Sequence, residues 1–299
     1  MSKSNRIETK PPLPLWERDE ERGAGLAHHL ALLTHHLARN WPEYLIEAWA
    51  LGTFMISACV FTILFEHPSS AVNQWITNAD VRRGLQGIAM GLTAIALIYS
   101  PWGKRSGAHM NPAVTLTFLR LGKTSAVDAG FYIGAQLLGG TLGVLLVALA
   151  AGDRLSSPSV NFALTQPQAG HARIAFGAEV LISFFMMSMV LRVSSSNRLK
   201  AWTGVFAGLL VATFITFEAP LSGMSMNPAR SFASALPSNQ WMNYWIYVIA
   251  PIVAMQLAAL VYVGIRGRDQ VACAKLQHPL NQRCIHCGYE PSRKLKEAS

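Results

Sequence analysis

The feature that most constrains this 299-residue chain is that it is written twice. Ser106-Gly107-Ala108-His109-Met110-Asn111-Pro112-Ala113 returns as Ser222-Gly223-Met224-Ser225-Met226-Asn227-Pro228-Ala229, with six residue types kept in place. The flanks repeat nearly in step: residues 87–92 resemble 204–209, and 132–136 resemble 247–251. Around these copies lie six runs long and apolar enough for membrane helices, at 44–65, 84–102, 129–152, 174–191, 201–217 and 241–265. Glu47 and Glu179 are the charges inside them, one in the opening span of each half. Three spans per half is an odd number, so the second half enters a bilayer upside down relative to the first, giving inverted repeats.

Composition agrees with a membrane protein. The chain is 51% hydrophobic and only 14% charged, far from an ordinary soluble domain. The net charge of +9 does not form a compact basic patch interleaved with aromatics, which argues against nucleic acid. Residues 1–25 are polar and lack an apolar h-region, so the first span is expected to double as the insertion signal. Six spans put both termini on one side, and placing that side in the cytoplasm leaves Arg82, Arg83, Arg154, Arg173 and Arg230 on the other. This asymmetry follows the positive-inside rule and implies a multi-pass plasma (inner) membrane protein with cytoplasmic termini. Residues 26–38 carry two His pairs seven apart opposite Leu, which reads as an interfacial helix in preference to a metal site.

Each repeated loop continues into an apolar stretch, 113–119 and 229–236, too short to span. About ten helical residues reach ~15 Å, half of a ~30 Å hydrocarbon core, so both loops should dip in as half-helices and meet near the midplane. Asn followed by Pro is a strong helix start: the Asn oxygen accepts a backbone N–H, and Pro has no donor to leave unpaired. With its oxygen held, each Asn keeps its NH₂ donors, so the two ends together aim four donors and two positive dipole ends at one spot. A neutral molecule with lone pairs can rest there, a cation is repelled, and a hydrogen-bonded water wire must reorient. Gly87/Gly91 and Gly204/Gly208 read as helix-packing pairs.

On these two Asn-Pro-Ala motifs, Asn111-Pro112-Ala113 and Asn227-Pro228-Ala229, the chain resembles the aquaporin family (major intrinsic proteins) over roughly residues 43–265. The resemblance implies an all-α membrane fold of six helices plus two re-entrant half-helices, one pore per subunit and a homotetramer in membrane lipid. It implies a passive channel for water or small uncharged solutes that excludes ions and protons, with no cofactor and no enzymatic step. It also implies a second constriction of Met90 (or Gly91), Ile215, Met224 and Arg230, and makes Glu179, with Glu47, structural acceptors for loop donors. His is usual at the Ile215 position in water-dedicated members. Ser231, Ala235 and Tyr247 resemble the water-channel pattern and Val248 does not, while Ile215 with residues 219–223 resembles plant-type channels for small solutes such as metalloid acids. Lys104-Arg105 stand where many members have Gly-His, and His109 is expected as a packed loop residue. The competing readings are a glycerol or metalloid-acid facilitator with little water flux, a coupled transporter, and a non-conducting scaffold. A transporter usually needs more midmembrane ionisable groups than the two Glu and Arg230, and a scaffold would not need intact polar pore groups.

Outside residues 1–42 and 43–265, the tail 266–299 carries its own chemistry. Cys273, His278, Cys284 and Cys287 form C-x4-H-x5-C-x2-C, a ligand set for a tetrahedral structural zinc, with Gly288 suited to a knuckle turn and His286 a rival fourth ligand. A cytoplasmic tail disfavours disulfides.

Overall fold

The computed structural model describes residues 15–278 and 281–291. Among them there is no strand, and six helices are long and apolar enough to cross a membrane. In chain order the helices are α1 (Leu15–Glu66), α2 (Ala71–Trp75), α3 (Ala79–Tyr99), α4 (Pro101–Ser106), α5 (Pro112–Arg120) and α6 (Ala126–Ala151). They continue as α7 (Asp153–Ser156), α8 (Ala172–Ser194), α9 (Thr203–Phe217), α10 (Ala219–Ser222), α11 (Pro228–Ser238) and α12 (Tyr244–Arg266).

Contacts divide the chain into residues 1–41 and 42–299. In the first unit the stretch expected as a separate interfacial helix lies within α1, and its Leu30, Leu32, Leu33 and Leu37 are exposed. The helix is longer than the expected 44–65 because hydropathy marks only the part suited to hydrocarbon, whereas the Leu-, Ala- and Glu-rich residues upstream are good helix formers too.

In the second unit, side-chain caps set several helix starts. Asn78 accepts from Asp80 N and Val81 N to open α3, and Ser125 accepts from Asp128 N to open α6. Helices α3 and α9 cross at near backbone contact, since a Cβ on Gly91 would sit 2.6 Å from Gly208 O, and one on Gly208 would sit 2.5 Å from Gly91 O. Around this crossing α8 packs on α12, α6 on α11, and α5 on α12. The outward side of α6 shows Leu138, Leu142, Leu146 and Leu149 to the surroundings, a stripe that only lipid or another apolar surface suits. The arrangement leaves α5 and α11 in the interior with their N-termini facing each other.

Candidate functional site

Each half-helix begins where its sequence says it should. Asn111 Oδ1 accepts from Ala113 N at 2.8 Å, and Asn227 Oδ1 accepts from Ala229 N at 3.1 Å and Arg230 N at 3.2 Å, with Pro112 and Pro228 at the first helical positions. The amide nitrogens then cross between repeats: Asn111 Nδ2 donates to Met226 O and Asn227 Nδ2 to Met110 O, both at 2.7 Å. This corrects the count of four free donors. One N–H of each amide is spent on locking the two tips together, which leaves one per Asn for a guest.

The reciprocal lock needs Met110 and Met226 to turn their carbonyls towards the opposite repeat, and both adopt left-handed backbone, φ 49 and 55. That conformation costs a non-glycine residue on the order of 1 kcal/mol and has to be held from outside. Two fully buried carboxylates hold it. Glu47 accepts from Ser106 Oγ (2.8 Å) and His109 N (3.0 Å) on one oxygen, and from Met110 N (2.7 Å) and Gln136 Nε2 (2.8 Å) on the other. Glu179 accepts from Ser222 Oγ (2.8 Å) and Ser225 N (2.7 Å), and from Met226 N (2.7 Å). The pattern extends to Tyr132 and Tyr247, whose hydroxyls donate to Ser106 O and Ser222 O. Lys104 lies over the Tyr99 ring and Arg105 pairs with Glu43 at 3.2 Å, so the pair flanks the first loop without entering the junction.

On the α11 side a cavity of about 170 Å³ is lined by Met90, Ile215, Met224 and Arg230 together. Gly91 is not on its wall, being used in the α3–α9 crossing. Arg230 Nη1 is buried with no hydrogen-bond partner among the described protein atoms, so it offers the cavity a donor beside the apolar side chains of Met90, Ile215 and Met224; Arg83, the second guanidinium on the wall, donates to Thr216 O and Asp80. Phe54, Ala58 and Gln86 also line it and were not anticipated. For Phe54 and Ala58 the signal existed: they stand seven and eleven residues after Glu47, on the same helical face.

On the other side of the Asn pair, a cavity of about 110 Å³ is lined by Asn111, Asn227, His109 and, from the tail, Leu276. His109 is buried, donating Nε2–H to Ala274 O at 2.8 Å and stacking on His286 at 5.3 Å. His286 lies 3.0 Å from Thr124 Oγ1 through Nδ1 and 3.1 Å from Ser106 O through Nε2; burial, then proximity to His109, pushes it down to about 4, so the ring is neutral at pH 7. The potential ligand atoms of Cys273, His278, Cys284 and Cys287 come within 4.8 Å of one another, and His286 is not among them.

Comparison with known proteins bears on the family and the fold. Residues 36–262 match the family described as Major intrinsic protein. Aquaporin NIP1-2 of Arabidopsis thaliana is 34% identical over 231 residues, 75% of each chain. Aquaporin NIP2-3 of Zea mays is 33% identical over 231 residues, 75% of this chain and 73% of that one. Among solved structures, the aquaglyceroporin from Plasmodium falciparum superposes with a TM-score of 0.61 at 19% identity, covering 74% of this chain and 94% of its own.

Proposed function

The chain belongs to the major intrinsic protein family, a family of passive channels for water and small solutes, and we propose that this member conducts small uncharged polyols or metalloid acids alongside water. It is an integral, multi-pass membrane protein and not an enzyme. The single observation that carries the permeant reading is the cavity of Met90, Ile215, Met224 and Arg230. A solute with a hydrocarbon or flat face and a hydroxyl edge can lie against Met90, Ile215 and Met224 and accept from Arg230 Nη1.

In this reading Asn111 and Asn227 receive the permeant with their remaining N–H groups, while Pro112-Ala113 and Pro228-Ala229 hold the helix starts that face cations with positive dipole ends. Glu47 and Glu179 keep the loops in place and do not carry protons. On the family resemblance we assign the subunit to a homotetramer, and on the charge asymmetry of its loops to the plasma (inner) membrane with both termini in the cytoplasm. Transport uses no cofactor; the tail cluster is compatible with a structural Zn²⁺.

The test is stopped-flow light scattering on proteoliposomes challenged in parallel with water, glycerol and boric acid gradients. Faster relaxation than empty vesicles is expected for water and for at least one of the two solutes. Water flux alone would overturn the permeant reading.

A further inference from the structure

We propose that Cys273, His278, Cys284 and Cys287 hold one Zn²⁺ ion, and that the tail folded around it is a plug in the mouth of the conducting pathway, with Leu276 as its stopper. The plug rests on the channel reading; the metal site does not.

The ligand geometry is already close to a zinc tetrahedron. A Zn–S bond of about 2.3 Å and a Zn–N bond of about 2.0 Å put tetrahedral ligands roughly 3.5–3.7 Å apart. Cys273 Sγ and Cys284 Sγ stand 3.5 Å apart, and His278 Nε2 and Cys287 Sγ 3.1 Å apart. All four Cys of the chain are free thiols, so no disulfide accounts for the convergence of these three. Cys284 and Cys287 sit in a knuckle: Gly288, φ 70, donates to Cys284 O at 3.1 Å, and Cys284 N donates to Tyr289 O at 2.8 Å. Three thiolates, one imidazole and Zn²⁺ sum to one negative charge, which suits the neighbouring Lys275. Lys275 as a residue is only 3% exposed, and its Nζ donates to Arg283 O at 3.4 Å, next to the ligand Cys284.

Both arms of the cluster dock on the channel. Between ligands Cys273 and His278, Ala274 O accepts from His109, and Leu276 N donates to Gly107 O at 3.2 Å. Gln277 Nε2 donates to Lys200 O at 2.7 Å and Ala201 O at 3.0 Å, on the connector between α8 and α9. The loop therefore bridges the two repeats. Between Cys284 and Cys287, His286 is delivered to Ser106 O and the His109 ring. Leu276, 7% exposed, fills the mouth of the cavity that also touches both pore asparagines. No regular secondary structure holds residues 271–278 in this shape, so a metal bound by Cys273 and His278 would close the loop that these hydrogen bonds dock.

Full-length protein purified without chelator from zinc-replete cells should carry about one zinc per chain by elemental analysis. Cys284→Ser/Cys287→Ser should lose it with an unchanged size-exclusion profile. In proteoliposomes, chelating the parent's zinc should raise water and glycerol flux severalfold. Leu276→Ala should raise flux to a similar level while keeping its zinc, separating the stopper from the staple. Zinc far below one per chain even after incubation with Zn²⁺, or another metal in its place, overturns the metal site. Zinc at full occupancy with flux above empty vesicles, yet unmoved both by chelation and by Leu276→Ala, overturns the plug. Flux at the empty-vesicle level in every sample overturns the channel reading and the plug with it, while the zinc stoichiometry still decides the metal site.

Discussion

At the scale of single residues, Arg230 and Ile215 set what the outer cavity can recognise. Arg230 brings it a buried terminal nitrogen without a protein partner, and Ile215 supplies wall but no donor. Arg230→Ala removes bulk and charge together, so solute flux measured across a size series of polyols should extend to larger members; an unchanged cut-off would place the constriction elsewhere. Ile215→His adds a polar wall and narrows the opening, and should lower the ratio of glycerol to water flux. Glu218 gives a pH signature independent of transport. Burial pushes its carboxyl up to about 7. A folded-state value above the unfolded one means that the protonated form is favoured by folding, so ionisation costs stability. The cost is absent below pH 4.5, grows as pH rises towards 7 and is complete above it. Glu218→Gln should therefore melt at the same temperature as the parent in detergent near pH 4.5 and at a higher one at pH 8. A difference that stays constant across that range would remove Glu218 as its source. Residue types were legible here from motif spacing, but the pairing of each Asn amide with a Met carbonyl of the other repeat was not. It links positions 115 and 117 residues apart, and no local rule relates them.

At the scale of elements, the close crossing of α3 and α9 makes a sharp demand on side-chain size. A Cβ at Gly91 meets backbone oxygen, which cannot swing away as a flexible side chain would. Gly91→Val should lower thermal stability by about 1–3 kcal/mol through forced separation of the helices. Gly177→Ala on α8, where nothing lies within 4 Å of the new Cβ, should stay within about 1 kcal/mol of the parent. Equal losses at the two sites would mean the crossing is looser than its geometry. The half-helices were readable because capping is a short-range device: Asn111 and Asn227 bond to N–H groups two or three residues ahead. The extent of α1 was not, since hydropathy reports the solvent a segment prefers and helical hydrogen bonding continues wherever propensity allows.

At the scale of the whole molecule, exclusion of protons depends on both repeats at once. Two helix N-termini meet at the Asn pair, and each leaves one amide N–H free to turn a passing molecule. Vesicles holding Leu276→Ala channels should collapse an imposed pH gradient no faster than empty vesicles, even while their neutral-solute flux is raised. Faster collapse would mean that the junction does not break a water wire. The six spans, the inverted duplication and the two capped half-helices were legible in the chain, as was the close spacing of Cys and His in the tail, because apolar periodicity, capping and residue spacing all act over a few residues. Three features arise only in the folded chain. The asparagines spend half their donors on each other's repeat. His286 packs on His109 and Ser106 and stands outside the Cys/His cluster. Leu276 ends beneath the asparagines. Each depends on packing between distant segments, as His109 and Ala274 do across 165 residues, and such contacts are selected by the shape and unpaired polar groups of a surface that exists only once the chain has folded.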